Sequence, residues 1–436
     1  AEVDAERKLL QAIFARNEGR MDVALDLLHA AHQELRPDQW LTKSIADLQI
    51  VVAHLENGEL AQSGALLSEM KRCVKRNSQA GMTMMVQTTA FECMLSSLQG
   101  DLSGAKRIGR EAVAMVQESG HIVPIVGQVH AVLAGIAYLQ NDLDEAQAEL
   151  DRALHWGERT GITDILFNAY DTQIKLHCAR EERKQALAGL QRVRTLYEGT
   201  GFADIISVGR AEEAAVHLRL GNLAQAMRWA DEAGHDLSDP LPPRSQSIYH
   251  ILASVYLAAA RIKRDSSRLE RILELAERLT EQGEQLGQVL PQISALLLQV
   301  QALALLGKEN QAGSRLTQAL TLAEPGKIIR IFADSSPALL DLLRPLAAAQ
   351  PGNAFLAAVI QAFEQEEPVT PLVDPLTERE LEVLGLIATG LSNKQIEACL
   401  VVSHNTVRTH IKNLYGKLAV SSRTQAVRKG QDLGLI

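Results

Sequence analysis

The sequence predicts an all-α protein in which a superhelical solenoid of αα-hairpins is followed by a small four-helix domain. Three observations lead to this fold class. A turn signature recurs about every 40 residues through the first three quarters of the chain. Aromatic residues make up only 4% of the 436 residues and prolines number 13, which favours helix over strand. The last sixty or so residues carry a different helical pattern that lacks this repeat.

The repeated turn predicts the solenoid. Its copies begin at positions 19, 58, 100, 141, 181, 221, 267 and 307, with Gly or Asn first in six of them and Ala sixth in six. Gly or Asn suits the left-handed end of one helix, and the polar residue that follows suits the cap of the next. Apolar residues at helical spacing lie on both sides of each turn, so each unit is predicted to be an αα-hairpin. Eight such hairpins stack into a solenoid.

This repeat resembles the tetratricopeptide family, which has the same Gly-Asp-x-x-x-Ala junction, here with a step of about 40 rather than 34 residues. The resemblance covers residues 1–325 and implies a concave groove. Thirteen positions before three successive turns, where that family faces its groove, lie Gln87, Gln128 and Asn168, and equivalent inward positions nearby hold Tyr138, Asp171 and Lys175. These residues imply a site for a polar, hydroxyl-rich small molecule or a peptide. The alternative, amides that are simply solvated, stays open.

The pattern changes after Pro325. Residues 326–363 are predicted to cap the last repeat, and residues 364–375, which are acidic with three prolines, are predicted to form a linker. A separate domain then occupies 376–436. Thr377 and Glu380 form a predicted capping box for its first helix, which Gly390 ends.

Two further helices are predicted over 393–400 and 404–418, capped by Ser392 and Ser403 and joined by a four-residue turn. The second presents a polar outer face of Asn405, Thr406, Arg408, Thr409 and Lys412. Short helices joined in this way are typical of a helix-turn-helix.

Charge supports a nucleic-acid role for this domain. The whole chain has a net charge of −9, whereas residues 374–436 carry eight basic and six acidic residues. Between Ala398 and Gln431 there are six basic residues and no acidic one. A local positive patch on an acidic chain indicates a DNA-binding module. The alternative is a basic helix that is merely solvated.

The runs LTERELEVL, GLSNK and SHNTVRTH, completed by NLYGKL, resemble the LuxR-type DNA-binding domain over 376–429. The resemblance implies that Arg408, Thr409 and Lys412 enter the major groove and that Lys394, Ser403, Thr406 and Lys417 hold phosphates. It places a dimer seam on the fourth helix at Thr424, Val427 and Arg428. Glu397 departs from the family, which usually has a small residue there, so Glu397 must turn to solvent or find a basic partner.

A tetratricopeptide-like solenoid followed by this domain resembles the MalT-like regulators, the large ATP-dependent branch of the LuxR family. The resemblance implies a transcriptional regulator, with an activator favoured, that acts on double-stranded DNA as a homodimer or higher oligomer. Its implied partners are RNA polymerase and an inducer or regulatory protein on the solenoid. No Gly-Lys pair here has P-loop spacing, so ATP is expected only if an upstream nucleotide-binding module exists. The chain is either the C-terminal part of such a regulator, which we favour, or a shorter natural form.

Other classes have little support in the sequence. The four cysteines are scattered, and His404 and His410 lack a third ligand, so no metal site is expected. No catalytic motif has workable spacing, so no enzyme is expected. No signal peptide or membrane span is recognised, which predicts a cytoplasmic protein without a membrane partner. The alternative function is an interaction scaffold whose last domain docks protein rather than DNA.

Overall fold

A computed structural model describes residues 2–73, 78–263, 265–364, 376–388, 390–400, 402–418, 420 and 422–432. Within these ranges the regular elements are all helices, and the first sixteen long ones form antiparallel pairs, which confirms the predicted fold class. The pairs are α1 Glu2–Asn17 with α2 Met21–Glu34, α3 Trp40–Glu56 with α4 Leu60–Cys73, α5 Gln79–Leu98 with α6 Leu102–Ser119, α7 Val126–Leu139 with α8 Leu143–Thr160, α9 Thr163–Ala179 with α10 Arg183–Gly199, α11 Ala203–Arg219 with α12 Leu223–Glu232, α13 Gln246–Lys263 with α14 Ser266–Gln285, and α15 Val289–Leu305 with α16 Glu309–Ala323.

The turn within a pair adopts the predicted backbone. Its first residue has a positive φ in seven of the eight pairs: Gly19, Gly58, Gly100, Asn141, Glu181, Gly221 and Gly307. The next residue caps the second helix where its side chain allows. Asp101 accepts the N–H of Gly104 at 2.8 Å, and Asp142 accepts that of Glu145 at 3.0 Å. These bonds satisfy helix donors that would otherwise lack a partner.

A small residue at the sixth position of the turn lets the two helices of a pair pack closely. This residue is completely buried in seven pairs: Ala24, Ser63, Ala105, Ala146, Ala186, Ala226 and Ala312. A larger side chain would separate the helices or displace its neighbours, because protein interiors are close-packed.

The seventh turn lies earlier than the sequence predicted. Asp265 accepts the N–H of Arg268 at 3.1 Å, and α14 already begins at Ser266, so position 267 lies inside the helix. The residue that matches the small sixth position is then Leu269, which is buried. The sequence offers neither Gly nor Ala in this turn, and the register was misplaced for that reason.

Three short helices follow the eighth pair: α17 Arg330–Ala333, α18 Leu340–Ala349 and α19 Ala354–Glu364. Phe332, Leu343 and Leu356 bury their side chains in the same core cluster as α15 and α16. This packing agrees with a capping role, while the boundaries at 325 and 363 stay predictions. The predicted linker, Glu364 apart, lies outside the described residues.

The last domain has its own core. Its helices are α20 Glu378–Ala388, α21 Asn393–Leu400, α22 His404–Leu418 and α23 Arg423–Asp432. Leu384, Ile396, Val407 and Leu414 are buried together in it. In the described part of the whole chain, no helix combines the length and apolar character needed to cross a bilayer.

Candidate nucleic-acid interface and inner face of the solenoid

The predicted capping box fixes the start of α20. The N–H of Thr377 donates to Glu380 Oε2 at 2.8 Å, and the N–H of Glu380 donates to Thr377 Oγ1 at 3.3 Å. Gly390 follows with a φ of 86°, which ends the helix as the sequence predicted. Both ends of α20 are therefore fixed by local contacts.

The helix-turn-helix consists of α21 and α22. Ser403 caps α22 by accepting the N–H of Thr406 at 3.2 Å, and its hydroxyl lies 2.7 Å from Thr406 Oγ1. Ile396 on α21 and Val407 on α22 are completely buried, and this contact sets how the two helices cross. The turn thereby leaves the N-terminal half of α22 at the surface of the domain.

The residues assigned to base contacts lie on the outer face of α22. Arg408 and Lys412 are exposed and four positions apart, so they share one side of the helix. Thr409 is also exposed, and its hydroxyl donates to the carbonyl oxygen of Asn405 at 2.9 Å, which leaves its methyl group and a lone pair free for a base. These positions suit major-groove readout, and the contacts themselves stay predictions.

The residues assigned to phosphates differ in availability. Lys394 and Ser403 are exposed and Thr406 is half-buried. Lys417 instead lies inside the domain: its ammonium donates to Glu380 Oε2 at 2.9 Å, with 15% of the Lys417 side chain and 3% of the Glu380 side chain exposed. Burial alone would raise the pKa of Glu380, but the hydrogen bonds from Lys417 and Thr377 outweigh it and lower the pKa. Lys417 thus joins α22 to α20, and its phosphate contact would require it to leave this carboxylate.

Glu397 pairs with a basic residue, one of the two outcomes expected for its position. Its carboxylate contacts Nδ1 of His404 at the start of α22. His404 is exposed and Glu397 is about one-fifth exposed, so the carboxylate turns outward from the helix crossing. The packing of α21 is preserved, at the cost of one negative charge beside the recognition helix.

The fourth helix places the predicted dimer seam on the surface. Thr424 and Arg428 are exposed, and Val427 is half-buried against the domain core. Arg423 holds α23 in place, because its guanidinium donates to the carbonyl oxygens of Ile387 and Leu391. The dimer seam stays a prediction.

The amides predicted to face the groove are less open than expected. Gln128 is only 2% exposed, Gln87 and Asn168 are half-buried, and Asn168 Nδ2 donates to the carbonyl oxygen of Asp164 at 2.9 Å. Burial of Gln128 and the backbone hydrogen bond of Asn168 thus limit the contacts that these amides can offer to a ligand. Their predicted role as effector contacts is untested by these observations.

A charged cluster on α9 and α11 is more accessible. Lys175 donates to Asp171 Oδ2 at 2.7 Å, and both side chains are more than one-third exposed. Burial alone would lower the pKa of Lys175, but the Asp171 and Glu212 carboxylates outweigh it and raise the pKa above its ordinary value. Burial raises the pKa of Glu212, with Lys175 acting in the opposite direction. The cluster offers both acceptors and a donor to a polar ligand.

Tyr138 on α7 is engaged in a contact that the sequence did not predict. Its hydroxyl donates to Asp334 Oδ2 at 2.9 Å and accepts from Arg219 Nη1 at 2.8 Å. Arg219 lies on α11, two pairs beyond the pair that contains α7, and bonds to Tyr138 directly. Asp334 and Arg219 were missed because no local pattern links residues so far apart. The four-residue spacing of Arg330 and Asp334 in an apolar stretch was the available indication.

Among the residues described, no three His, Cys, Asp or Glu side chains gather as metal ligands.

The helical repeats, the separate helix-turn-helix and its exposed basic helix together define a class: solenoid proteins that carry a DNA-binding domain. Residues 5–349 match the family described as MalT-like TPR region, and residues 374–429 match the bacterial regulatory proteins of the luxR family. The chain belongs to the MalT-like TPR family and ends in a LuxR-family domain.

One relative is the HTH-type transcriptional regulator MalT of Serratia proteamaculans (strain 568), which is 25% identical over 468 residues. The alignment covers 99% of this chain and 49% of that protein, so the chain spans about half the length of this relative. A solved structure, that of Rap protein complexed with Competence and Sporulation Factor, is similar with a TM-score of 0.53 and 13% identity. It covers 84% of this chain and 100% of the other, and at that identity the similarity concerns the fold alone.

Proposed function

We propose that the chain is the DNA-binding and sensing part of a transcriptional regulator, acting in the cytoplasm and without catalysis of its own. The observation that carries this proposal is the exposed face of α22, where Arg408, Thr409 and Lys412 project from a helix that contains no acidic residue. A helix with this geometry fits the major groove, and its charge suits a polyanion.

Different residues of the domain are proposed to contact bases and phosphates. We propose that Arg408, one turn inside α22, makes a bidentate contact with a guanine, whereas Lys394, on α21, approaches a phosphate. A good bidentate contact discriminates between bases by about 1–3 kcal/mol, whereas a phosphate contact carries no sequence information. Pairing through α23 would let a dimer read two half-sites.

We assign effector binding to the inner face of the solenoid at Asp171, Lys175 and Glu212. Two carboxylates and one ammonium, partly open to solvent, can exchange hydrogen bonds with a polar small molecule or a peptide. The test is the melting temperature of the chain with a panel of small carbohydrates and short peptides. A ligand that stabilises the wild type should lose its effect with Asp171→Asn plus Lys175→Gln, and keep it with the exposed control pair Asp144→Asn plus Lys184→Gln.

DNA binding is tested with the duplexes that the wild-type chain itself selects from a randomised pool. Titrations at fixed salt then compare the selected duplex with a scrambled one. Arg408→Ala should reduce the preference between them by at least about fivefold, because base discrimination is lost. Lys429→Ala, an exposed cation on α23, should leave the preference unchanged. If the wild type selects no sequence, or if both variants lose affinity equally on both duplexes, the reading is wrong and a protein-docking scaffold is favoured.

A further inference from the structure

The turns of early pairs in the solenoid lie against late pairs. A Cβ atom added to Gly58 would come within 2.7 Å of Leu286, and one added to Gly100 within 2.9 Å of Val289. One added to Gly326 would come within 2.5 Å of the carbonyl oxygen of Gly100. Segments far apart in sequence are thus packed tightly together, glycine backbone against side chains at Gly58 and Gly100 and against backbone at Gly326.

The closest connection joins the end of α7 to the segment that enters α17. The N–H of Ile329 donates to the carbonyl oxygen of Leu139 at 2.8 Å, and Gln140 Nε2 donates to that of Gly326 at 3.1 Å. The first bond joins main chain to main chain, and the second joins a side-chain amide to the main chain. The fourth pair and the cap are therefore held together directly.

Asp334 lies at the centre of this connection. Its carboxylate accepts from Tyr138 on α7, pairs with Arg219 Nη2 on α11 at 2.7 Å, and pairs with Arg330 Nη2 on its own helix at 2.6 Å. The Arg330 guanidinium also lies 5.3 Å from the centre of the Tyr138 ring. We call these four residues, Tyr138, Arg219, Arg330 and Asp334, the closure cluster.

The burial of the cluster makes it an all-or-none contact. Arg330 is 1% exposed, so its charge is tolerated only while Asp334 neutralises it. Loss of Asp334 would leave the almost fully buried Arg330 guanidinium without its carboxylate, whereas Arg219 and Asp334 are about one-fifth and one-quarter exposed. Intermediate arrangements are therefore costly, and two discrete states, closed and open, are favoured.

The cluster also adjoins the charged residues on the inner face. Tyr138 and Lys175 lie on α7 and α9, which pack against each other, and Lys175 pairs with Asp171. A molecule bound at Asp171 and Lys175 would therefore meet the closure cluster. On the other side, α17 leads through α18 and α19 to the DNA-binding domain.

We propose that the closure cluster is a switch: its opening frees the segment 326–364 from the fourth and sixth pairs and transmits the state of the inner face to the DNA-binding domain. The existence of the switch stands on the contacts alone, whereas its regulatory consequence rests on the proposed function. An effector would act by contacting the two states unequally.

Hydrogen exchange measured by mass spectrometry on the full chain tests the closed state. In Asp334→Asn and Arg219→Gln, peptides covering 326–334 and 138–142 should exchange at least about tenfold faster, while peptides of α2 and α4 stay unchanged. Exposed controls of the same types are Asp341→Asn on α18 and Arg210→Gln on α11. Equal exchange in variants and controls would overturn the proposal.

A steric variant reaches the open state without changing any charge. Gly326→Ala places a methyl group against the Gly100 carbonyl oxygen and should give the same pattern of fast exchange. If Asp334→Asn loses helical content, Gly326→Ala and Tyr138→Phe decide the matter. Fast exchange throughout the chain in these milder variants as well would show a purely structural contact and reject the switch.

The regulatory consequence is measured with the duplex selected by the wild type. Gly326→Ala and Asp334→Asn should change its dissociation constant in the same direction and by at least threefold, whereas Asp341→Asn should not. Unchanged affinity together with fast local exchange would overturn the regulatory role. A wild type that selects no duplex would instead contradict the proposed function, and the exchange data would still decide whether the closure cluster opens as a unit.

Discussion

Lys417 donates to Glu380 across 2.9 Å, and the same carboxylate accepts the N–H of Thr377 at 2.8 Å. One carboxylate thus caps α20 and binds α22 to it. The pair is largely buried, so removing one partner leaves a charge with little solvent around it.

We therefore expect Lys417→Gln to destabilise the DNA-binding domain by about 3 kcal/mol, the lower end of the range for a broken buried pair. Hydrogen exchange of peptides from α20 and α22, measured in the full chain, reports this loss. Lys429→Gln removes an exposed cation from the same domain and serves as the control. Equal exchange in the two variants would contradict a stabilising role for the pair of Lys417 and Glu380.

The same pair predicts an acid sensitivity. The pKa of Glu380 is lowered in the folded domain, so its contribution is fully present above the unfolded-state pKa of about 4.3 and is lost as the pH falls through the lower folded value. Exchange from α20 should be steady between pH 5 and 7, after correction for intrinsic rates, and should accelerate below about pH 4. In Lys417→Gln this acceleration should be smaller. An equal acid response in both proteins would contradict the assignment.

Glu181 occupies a left-handed turn position, with a φ of 57°, where most other pairs have Gly. A side chain in that conformation costs about 1 kcal/mol, so Glu181→Gly should raise the stability of the fifth pair by up to that amount. Gly221→Ala, at a φ of 74°, is the reciprocal change and should lower stability by about 1 kcal/mol. Exchange from α10 and α12 measures the two effects, and a destabilised Glu181→Gly would mean that the glutamate's own contacts outweigh the backbone strain.

Glu397 places a carboxylate beside the proposed DNA-reading helix. Replacing it with Ala should cost less than about 1 kcal/mol, because its partner His404 is exposed and the pair lies at the surface. DNA affinity should rise about threefold on selected and scrambled duplexes alike, since one repulsive charge is gone. Glu382→Ala, which breaks the exposed pair with Arg379 on α20, is the matched control. A rise confined to the selected duplex would assign Glu397 to sequence discrimination instead.

Local chemistry is what made most of the fold predictable. Gly, a capping residue and a buried Ala recur within six positions, so a short window of sequence is enough to place each turn. The seventh turn failed because Asp265 caps α14 without Gly or Ala to mark it. The helix-turn-helix was predicted to the residue for α21 and α22, since Ser392 and Ser403 mark their starts.

The candidate sites were less predictable because they depend on contacts between distant elements. Tyr138 was assigned to a ligand by its register, yet Asp334, 196 positions later, occupies its hydroxyl. Lys417 was assigned to a phosphate by the resemblance to the LuxR-type domain, yet Glu380 lies within reach on another helix. Helical periodicity gives the direction of a side chain, and only the assembled structure gives what lies there.

Contacts between early and late pairs also change how the repeats should unfold. An open array has contacts only between neighbours, so its ends can fray independently. Here the ring of Phe14 in the first pair packs edge-on against Phe202, which immediately precedes α11 of the sixth pair, at 5.8 Å, and Arg244 donates to the carbonyl oxygen of Arg16. Losing the first pair therefore also removes support from the middle of the chain. Stability in this solenoid therefore depends on contacts between distant pairs as well as between adjacent ones.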